Sequence, residues 1–312
     1  MSSKTSLDKI LVTGATGFIG QRMLAKLKVM DCEIRIVSRK PQKEYDSVYC
    51  DFENEKIPNS ALNSIDTIFH IAGFAHDFQN INETLDIYHK VNVNATIQLA
   101  ELAIESGVKR FIFVSSVKAG GMVNPTNCGS EIEQSEPIGA YGRTKREAEI
   151  KLLELGRISG MHVVIVRPSL VYGPGMKGNL KLMLKGIDKG WFPPLPNTEN
   201  KRSMIHVDDL VKALIMVAVS DRTNGEIFIA TDGRTYSSYE IYRTMCELSG
   251  KSIPKWSVPR IVFDLASKIN KRIQYKIQKL LGDECYSSKK LESIGFRAKN
   301  SIKQMHENET FF

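Results

Sequence analysis

With 312 residues, 42% hydrophobic and 25% charged, the chain has the makeup of a globular protein with one large core and a smaller lobe. No apolar run approaches the ~20 residues that cross a bilayer. The net charge of +8 is dispersed and unaccompanied by a nucleic-acid motif, so anionic small molecules and a membrane surface remain as partners. Five cysteines (Cys32, Cys50, Cys128, Cys246, Cys285) without CxxC spacing, and no signal-peptide pattern before the first strand, read as reduced thiols in a cytoplasmic protein with no metal site.

The first predicted strand, Ile10-Leu11-Val12-Thr13, runs into Gly14-Ala15-Thr16-Gly17-Phe18-Ile19-Gly20, after which apolar residues recur at helical spacing. Strand, glycine turn and helix in that order form a dinucleotide cradle: the first glycine makes the turn, the second admits a pyrophosphate, the third packs helix on strand. The phosphates then sit on the helix N-terminus. Glu33 to Lys40 is a second strand whose far end meets the adenosine ribose. Ser38-Arg39-Lys40 stands there without a carboxylate, so Arg39 and Lys40 predict NADP, with NAD as the alternative.

Cys50-Asp51-Phe52 ends a third strand, with Asp51 placed to accept from the adenine amino group and Phe52 beside it. Thr67 to Gly73 is a buried fourth strand, closing on Ala72 and Gly73, small enough for backbone to approach the cofactor; His70 within it reads as a packed core histidine. Helix over Tyr88 to Ser106, strand over Val108 to Ser116, helix over Ala140 to Ile158 and strand over Met161 to Leu170 then alternate, which predicts an α/β, doubly wound parallel sheet. Past Tyr172-Gly173-Pro174-Gly175 the pattern breaks into proline-rich loop and shorter elements. The expected division is residues 1–174 as the dinucleotide domain and 175–312 as mainly an α+β substrate lobe, the chain crossing back around 201–231.

Ser116 closes the Phe111-to-Ser116 strand at the face where such sheets bind ligands. Tyr141 and Lys145 follow, one helical turn apart on one face. A lysine ammonium ~4 Å from a phenol lowers its pKa by up to about three units. Tyr141 is therefore expected to act as acid or base on a sugar hydroxyl or ketone, with Ser116 bonding the same oxygen and Lys145 also holding the nicotinamide ribose.

Taken together, these motifs resemble those of the extended short-chain dehydrogenase/reductases, in the branch of nucleotide-sugar epimerases, dehydratases and ketoreductases. The resemblance runs from Ile10 to Gly295, through the glycine fingerprint, Val91-Asn92-Val93-Asn94-Ala95-Thr96, the Ser116/Tyr141/Lys145 triad, Arg167-Pro168, Val171-Tyr172-Gly173-Pro174 and Arg202-Ser203-Met204-Ile205-His206-Val207. It implies a Rossmann fold and adds Pro168 to the cofactor contacts. It also implies substrate contacts at Asn92, Lys118, Asn179 and Arg202, Arg202 meeting the nucleotide diphosphate. A homodimer through the helices containing Asn92 to Ser106 and Ala140 to Ile158 is a further implication.

Departures from the family pattern narrow the reaction. Val117 and Lys118 replace the Asp-Glu pair of 4,6-dehydratases, and Leu170 stands where many UDP-hexose 4-epimerases keep a substrate asparagine. The first expectation is an NADP-dependent reductase of a UDP-linked 4-keto-6-deoxy sugar in surface polysaccharide synthesis. Its enzymatic alternative is a UDP-glucose or UDP-N-acetylglucosamine 4-epimerase on tightly held NAD. A non-catalytic NADP-binding regulator is the third, opposed by the intact triad. The basic stretch from Ser267 to Lys279 reads as a lobe helix or as a peripheral contact with an anionic membrane.

Overall fold

The computed structural model describes residues 7–304 except 41, 76–80, 122–127 and 133, and leaves undescribed the side chains of 81–84, 272 and 304. Seven parallel strands form the main sheet: β1 (Lys9–Thr13), β2 (Glu33–Ser38), β3 (Asp46–Tyr49), β4 (Thr67–His70), β5 (Arg110–Val114), β6 (His162–Pro168) and β9 (Ile227–Ala230). Their order is β3-β2-β1-β4-β5-β6-β9. This is the doubly wound Rossmann arrangement. The order reverses between β1 and β4, and the crevice at the carboxyl ends of those strands is where such sheets take ligands.

Strand alternation supplies both faces. Ile10 and Val12 of β1, with Ile112 and Val114 of β5, pack against Met23 and Leu27 of α1 (Phe18–Val29) and Leu210, Leu214 and Val217 of α6 (Val207–Val219). Leu11, Phe111 and Phe113 point the other way, onto Leu99 and Ala103 of α3 (Ala95–Glu105) and Ala148 and Leu152 of α4 (Gly139–Ser159). Each fully buried Val, Leu, Ile, Phe or Met among them contributes roughly 1.5–3 kcal/mol, so the sheet is held from both sides.

A second layer has its own core. The short sheet β10-β8-β7 (Thr235–Tyr236, Arg202–His206, Leu170–Tyr172) joins α5 (Gly178–Asp188) and α7 (Ser238–Leu248) around Met183, Leu184, Met204, Ile241 and Met245. The chain returns to the main body through α6 and β9, adds α8 (Arg260–Ser267) and α9 (Lys271–Leu281) beside the second layer, and comes back to the main core at Leu291 and Phe296.

Two readings need correction. Cys128 and Cys285 form a disulfide across 157 residues of sequence, while Cys32, Cys50 and Cys246 stay free; scattered spacing hid a pairing that only tertiary contact creates. The helix expected over Tyr88 to Ser106 is three pieces: α2 (Ile81–His89), a π-helical turn (Lys90–Asn94) and α3. Such turns inside helices mark functional sites, and this one carries Asn92 into the interior.

Candidate active site

The cofactor turn is shaped by backbone contact. Gly14 adopts φ +69°, and a Cβ there would lie 2.6 Å from the Ala72 nitrogen; at Gly20 a Cβ would meet the Gly14 carbonyl oxygen at 2.2 Å. No side chain caps the N-terminus of α1 and its first turn holds no acid. Its first N–H groups and the positive end of the dipole therefore face a ligand, as an anion requires. The turn fits a dinucleotide of the NAD type.

Ser116 sits at the end of β5, and its Oγ accepts from the Lys118 N–H at 3.2 Å, capping the short turn Val117–Gly120. Helix α4 is pressed onto that turn. A Cβ on Gly142 would lie 2.7 Å from the Lys118 carbonyl, and Arg146 Nε donates to the Ala119 carbonyl at 2.6 Å. A buried bidentate pair between Arg167 of β6 and Glu149 of α4, at 2.8 and 2.5 Å, fixes the helix to the sheet. These contacts bring Tyr141 and Ser116 into the lining of one cavity, with Ser116 near enough to influence the Tyr141 hydroxyl.

Ser116, Tyr141 and Lys145 line a cavity of about 230 Å³ together with Ile19, Gly73, Pro168 and Ser169. Lys145 Nζ donates to the Val114 carbonyl at 3.0 Å and lies 4.5 Å from the Phe113 ring centre. Burial pushes its ammonium down to about 8, with Glu149 opposing. Tyr141 moves the other way: burial pushes it up to about 12, with the Ser116 hydrogen bond pulling down. The expected lowering by Lys145 is thus corrected: desolvation of the phenolate dominates, and the Lys145 ammonium is committed to the Val114 carbonyl. In the free chain Tyr141 is a neutral proton donor at pH 7.

The site corresponds to a known family. The model of the NAD dependent epimerase/dehydratase family matches residues 10–230. This chain belongs to that family. It is thereby an NAD-dependent enzyme of the epimerase/dehydratase type, consistent with its intact triad. UDP-glucose 4-epimerase of Vibrio cholerae is 34% identical over 259 residues, 80% of this chain and 78% of the relative. The N-acetyl-alpha-D-glucosaminyl-diphospho-ditrans,octacis-undecaprenol 4-epimerase of Escherichia coli O157:H7 is 25% identical over 312 residues, 95% and 92% of the two chains. The solved structure of MoeE5 in complex with UDP-glucose and NAD superposes with a TM-score of 0.75 at 24% identity, covering 95% of each chain.

Around this epimerase/dehydratase centre the remaining predicted residues divide. Ala72 accommodates Gly14, its N–H bonding Thr13 Oγ1 at 3.2 Å. Thr16, Gly17, Phe18 and Ile19 form the turn and the start of α1. Arg39 and Lys40 are exposed beyond the end of β2. Asp51 and Phe52 follow β3, and Asp51 accepts from Asn54 Nδ2 at 2.9 Å. His70 is a core histidine: fully buried, pushed down to about 3 by desolvation with Lys145 adding, its ring nitrogens 2.7 and 2.8 Å from the Thr13 and Thr96 hydroxyls.

Asn92 is fully buried and faces the protein, differing from the substrate contact expected. Its Oδ1 accepts from the Phe74 N–H at 2.8 Å, while Nδ2 donates to the Phe74 carbonyl at 3.1 Å and to Thr144 Oγ1 at 3.2 Å. It ties the loop after β4 to α4, one residue from Lys145. Asn179 is exposed on the first turn of α5.

Lys118 and Arg202 converge on one carboxylate that sequence reading missed. Glu284 pairs with Lys118 and, at 3.2 Å, with Arg202 Nη2, whose Nη1 donates to the Lys279 carbonyl at 2.6 Å. Burial pushes the Glu284 carboxyl up, but Arg202 and then Lys118 hold it below its ordinary value. The other missed groups are Ser115 and Ser169, whose buried hydroxyls border the cavity without hydrogen-bond partners. A serine following Arg-Pro carries no sequence signal of that kind.

Proposed function

We propose that this protein is a UDP-hexose 4-epimerase. The 34% identity to a UDP-glucose 4-epimerase over four fifths of the chain carries the reading, and the Ser116–Tyr141–Lys145 arrangement supplies chemistry that suits it. It replaces the 4-ketoreductase expectation as first choice, since the relatives named above are 4-epimerases. The missing epimerase asparagine is not an obstacle: Leu170 packs on the second core, and the unpartnered Ser169 hydroxyl beside it offers a polar contact to the sugar.

NAD, when bound, would take the hydride from sugar C4 and give it back to the opposite face, so that sugar and cofactor end at their starting oxidation states. The chain's residues manage the proton and the orientation. Tyr141 exchanges a proton with the C4 oxygen, Ser116 donates a hydrogen bond to that oxygen, and Lys145 adds a fixed positive charge where negative charge develops. Since burial holds Tyr141 protonated in the free chain, its acid role is available at once, and its base role depends on the positive charge of Lys145 in the same cavity. Arg202, with Lys118, suits the substrate diphosphate once Glu284 yields or shares them.

The reductase with NADPH is a second reading, favoured by Arg39 and Lys40, exposed where a ribose 2′-phosphate lies in such folds. One assay separates them: the protein is incubated with UDP-glucose, UDP-N-acetylglucosamine and a UDP-4-keto-6-deoxy sugar, following sugar product and reduced nicotinamide. Interconversion of the hydroxylated sugars with no net change in nicotinamide supports the epimerase. NADPH loss mole for mole with the keto sugar, and no interconversion, overturns it.

A further inference from the structure

Helix α8 carries no buried residue. Ile261, Val262 and Leu265 lie on one face, with Ile269 a further turn along, and they are 64%, 49%, 59% and 69% exposed. An amphipathic helix ordinarily turns such a face to the core. Here Phe263 of α8 and Leu280 of α9 make the inward contact, and the larger apolar face looks out, beside Trp256 at 66% exposure.

Charge is concentrated at the same place. Between Lys251 and Lys279 the sequence holds eight basic residues and one acid, which is seven of the chain's eight net positive charges. The dispersal expected from the sequence is therefore misleading, since the rest of the molecule is nearly balanced. An apolar ridge flanked in the chain by the exposed Lys255, Lys268, Lys271 and Lys276 matches a bilayer with anionic headgroups: the aliphatic side chains enter the interface while the ammonium groups stay among the phosphates. A second copy of this chain fits the ridge less well, because both partners would bring the same positive field.

We infer that α8 and α9 form a peripheral docking surface for an anionic membrane. The surface is coupled to the active site, since Arg202 holds the end of α9 through the Lys279 carbonyl and Asn200 Nδ2 donates to the Gly282 carbonyl at 3.0 Å. Docking brings the substrate side of the enzyme to the lipid headgroups, independently of which sugar is turned over. Among the described residues no helix is long and apolar enough to cross a membrane.

The full chain is sedimented with vesicles of phosphatidylcholine alone and of phosphatidylcholine mixed with phosphatidylglycerol, over a range of salt. Binding only to the anionic vesicles, falling with salt, is expected. Lys271→Gln and Lys276→Gln should each weaken it about fivefold, and the pair Leu265→Glu with Ile269→Glu more than tenfold. Turnover of soluble UDP-sugar and the circular dichroism spectrum should stay unchanged in all of them. Equal binding to both vesicle types, no binding to either, or lysine variants that bind as well as the parent overturns the proposal. So does sedimentation velocity showing a dimer that Leu265→Glu with Ile269→Glu dissociates, which would assign the ridge to a second copy.

Discussion

The glycine turn at Gly14–Gly20 and the cluster of Lys118, Arg202 and Glu284 both present positive potential, but they are built in different ways. The turn uses backbone N–H groups within seven consecutive residues, and its shape is enforced by contacts such as the 2.2 Å that a Cβ on Gly20 would make with Gly14. The cluster draws side chains from β8, the turn after β5 and the segment after α9, with a carboxylate holding two cations together. A backbone cradle is rigid and ready before its ligand arrives. A side-chain cluster neutralised by its own acid must exchange partners to bind an anion, and that makes it tunable.

Breaking the chemistry between the two regions should have the largest effect. Tyr141→Phe removes one oxygen and should lower turnover by about two to four orders of magnitude while cofactor affinity, read by nucleotide titration, barely moves. Unchanged turnover would detach the triad from the reaction.

Lys145→Met probes the same centre from the other side. Turnover should fall by roughly a hundredfold or more, yet stability should not fall with it. The folded Lys145 ionises near 8 against an ordinary 10.5. Below about pH 8 the ammonium is present in both folded and unfolded chain, so its burial counts fully against the fold. That penalty fades as pH rises from 8 to 10.5. Denaturant titrations should therefore show the variant as stable as the parent or more so at pH 7, by at most roughly 3 kcal/mol, with the parent gaining on it across that window.

On the substrate side, Arg202→Gln should raise KM for the UDP-sugar by about tenfold to a hundredfold, the worth of a charge-assisted contact to phosphate. NAD affinity should be spared; equal losses for both ligands would mean that Arg202 only supports the fold. The smallest change belongs to Ser169→Ala. Loss of one neutral hydrogen bond predicts a KM increase of about twofold to tenfold with little change in kcat, and a KM identical to the parent's would remove Ser169 from the sugar site.

The legible parts of the site were those whose partners are close in sequence or whose geometry follows from an element. Gly14, Gly17 and Gly20 belong to a single turn, Tyr141 and Lys145 share one face of α4, and Ser116 is a strand end. Asn92 was found by its motif, but the motif does not tell which way it faces, and the π-helical turn at Lys90–Asn94 turned it inward. Glu284 lies 82 residues beyond Arg202 with no motif around it. Cys128 and Cys285 escaped for the same reason at 157 residues.

The sequence by itself determined the alternation of strand and helix, the glycine turn and the placing of Tyr141 and Lys145 on one helix face, because these depend on periodicity, backbone freedom and spacing within a few turns of chain. Only the tertiary structure decided the sign of the Tyr141 shift, the pairing of Glu284 with two cations and the outward apolar face of α8. Each of these depends on what is removed from water and what is left in it. Burial is a property of the packed molecule: the same phenol beside the same lysine is acidic or not according to the solvent lost around it, and the same amphipathic helix is core or docking surface according to the face its neighbours cover.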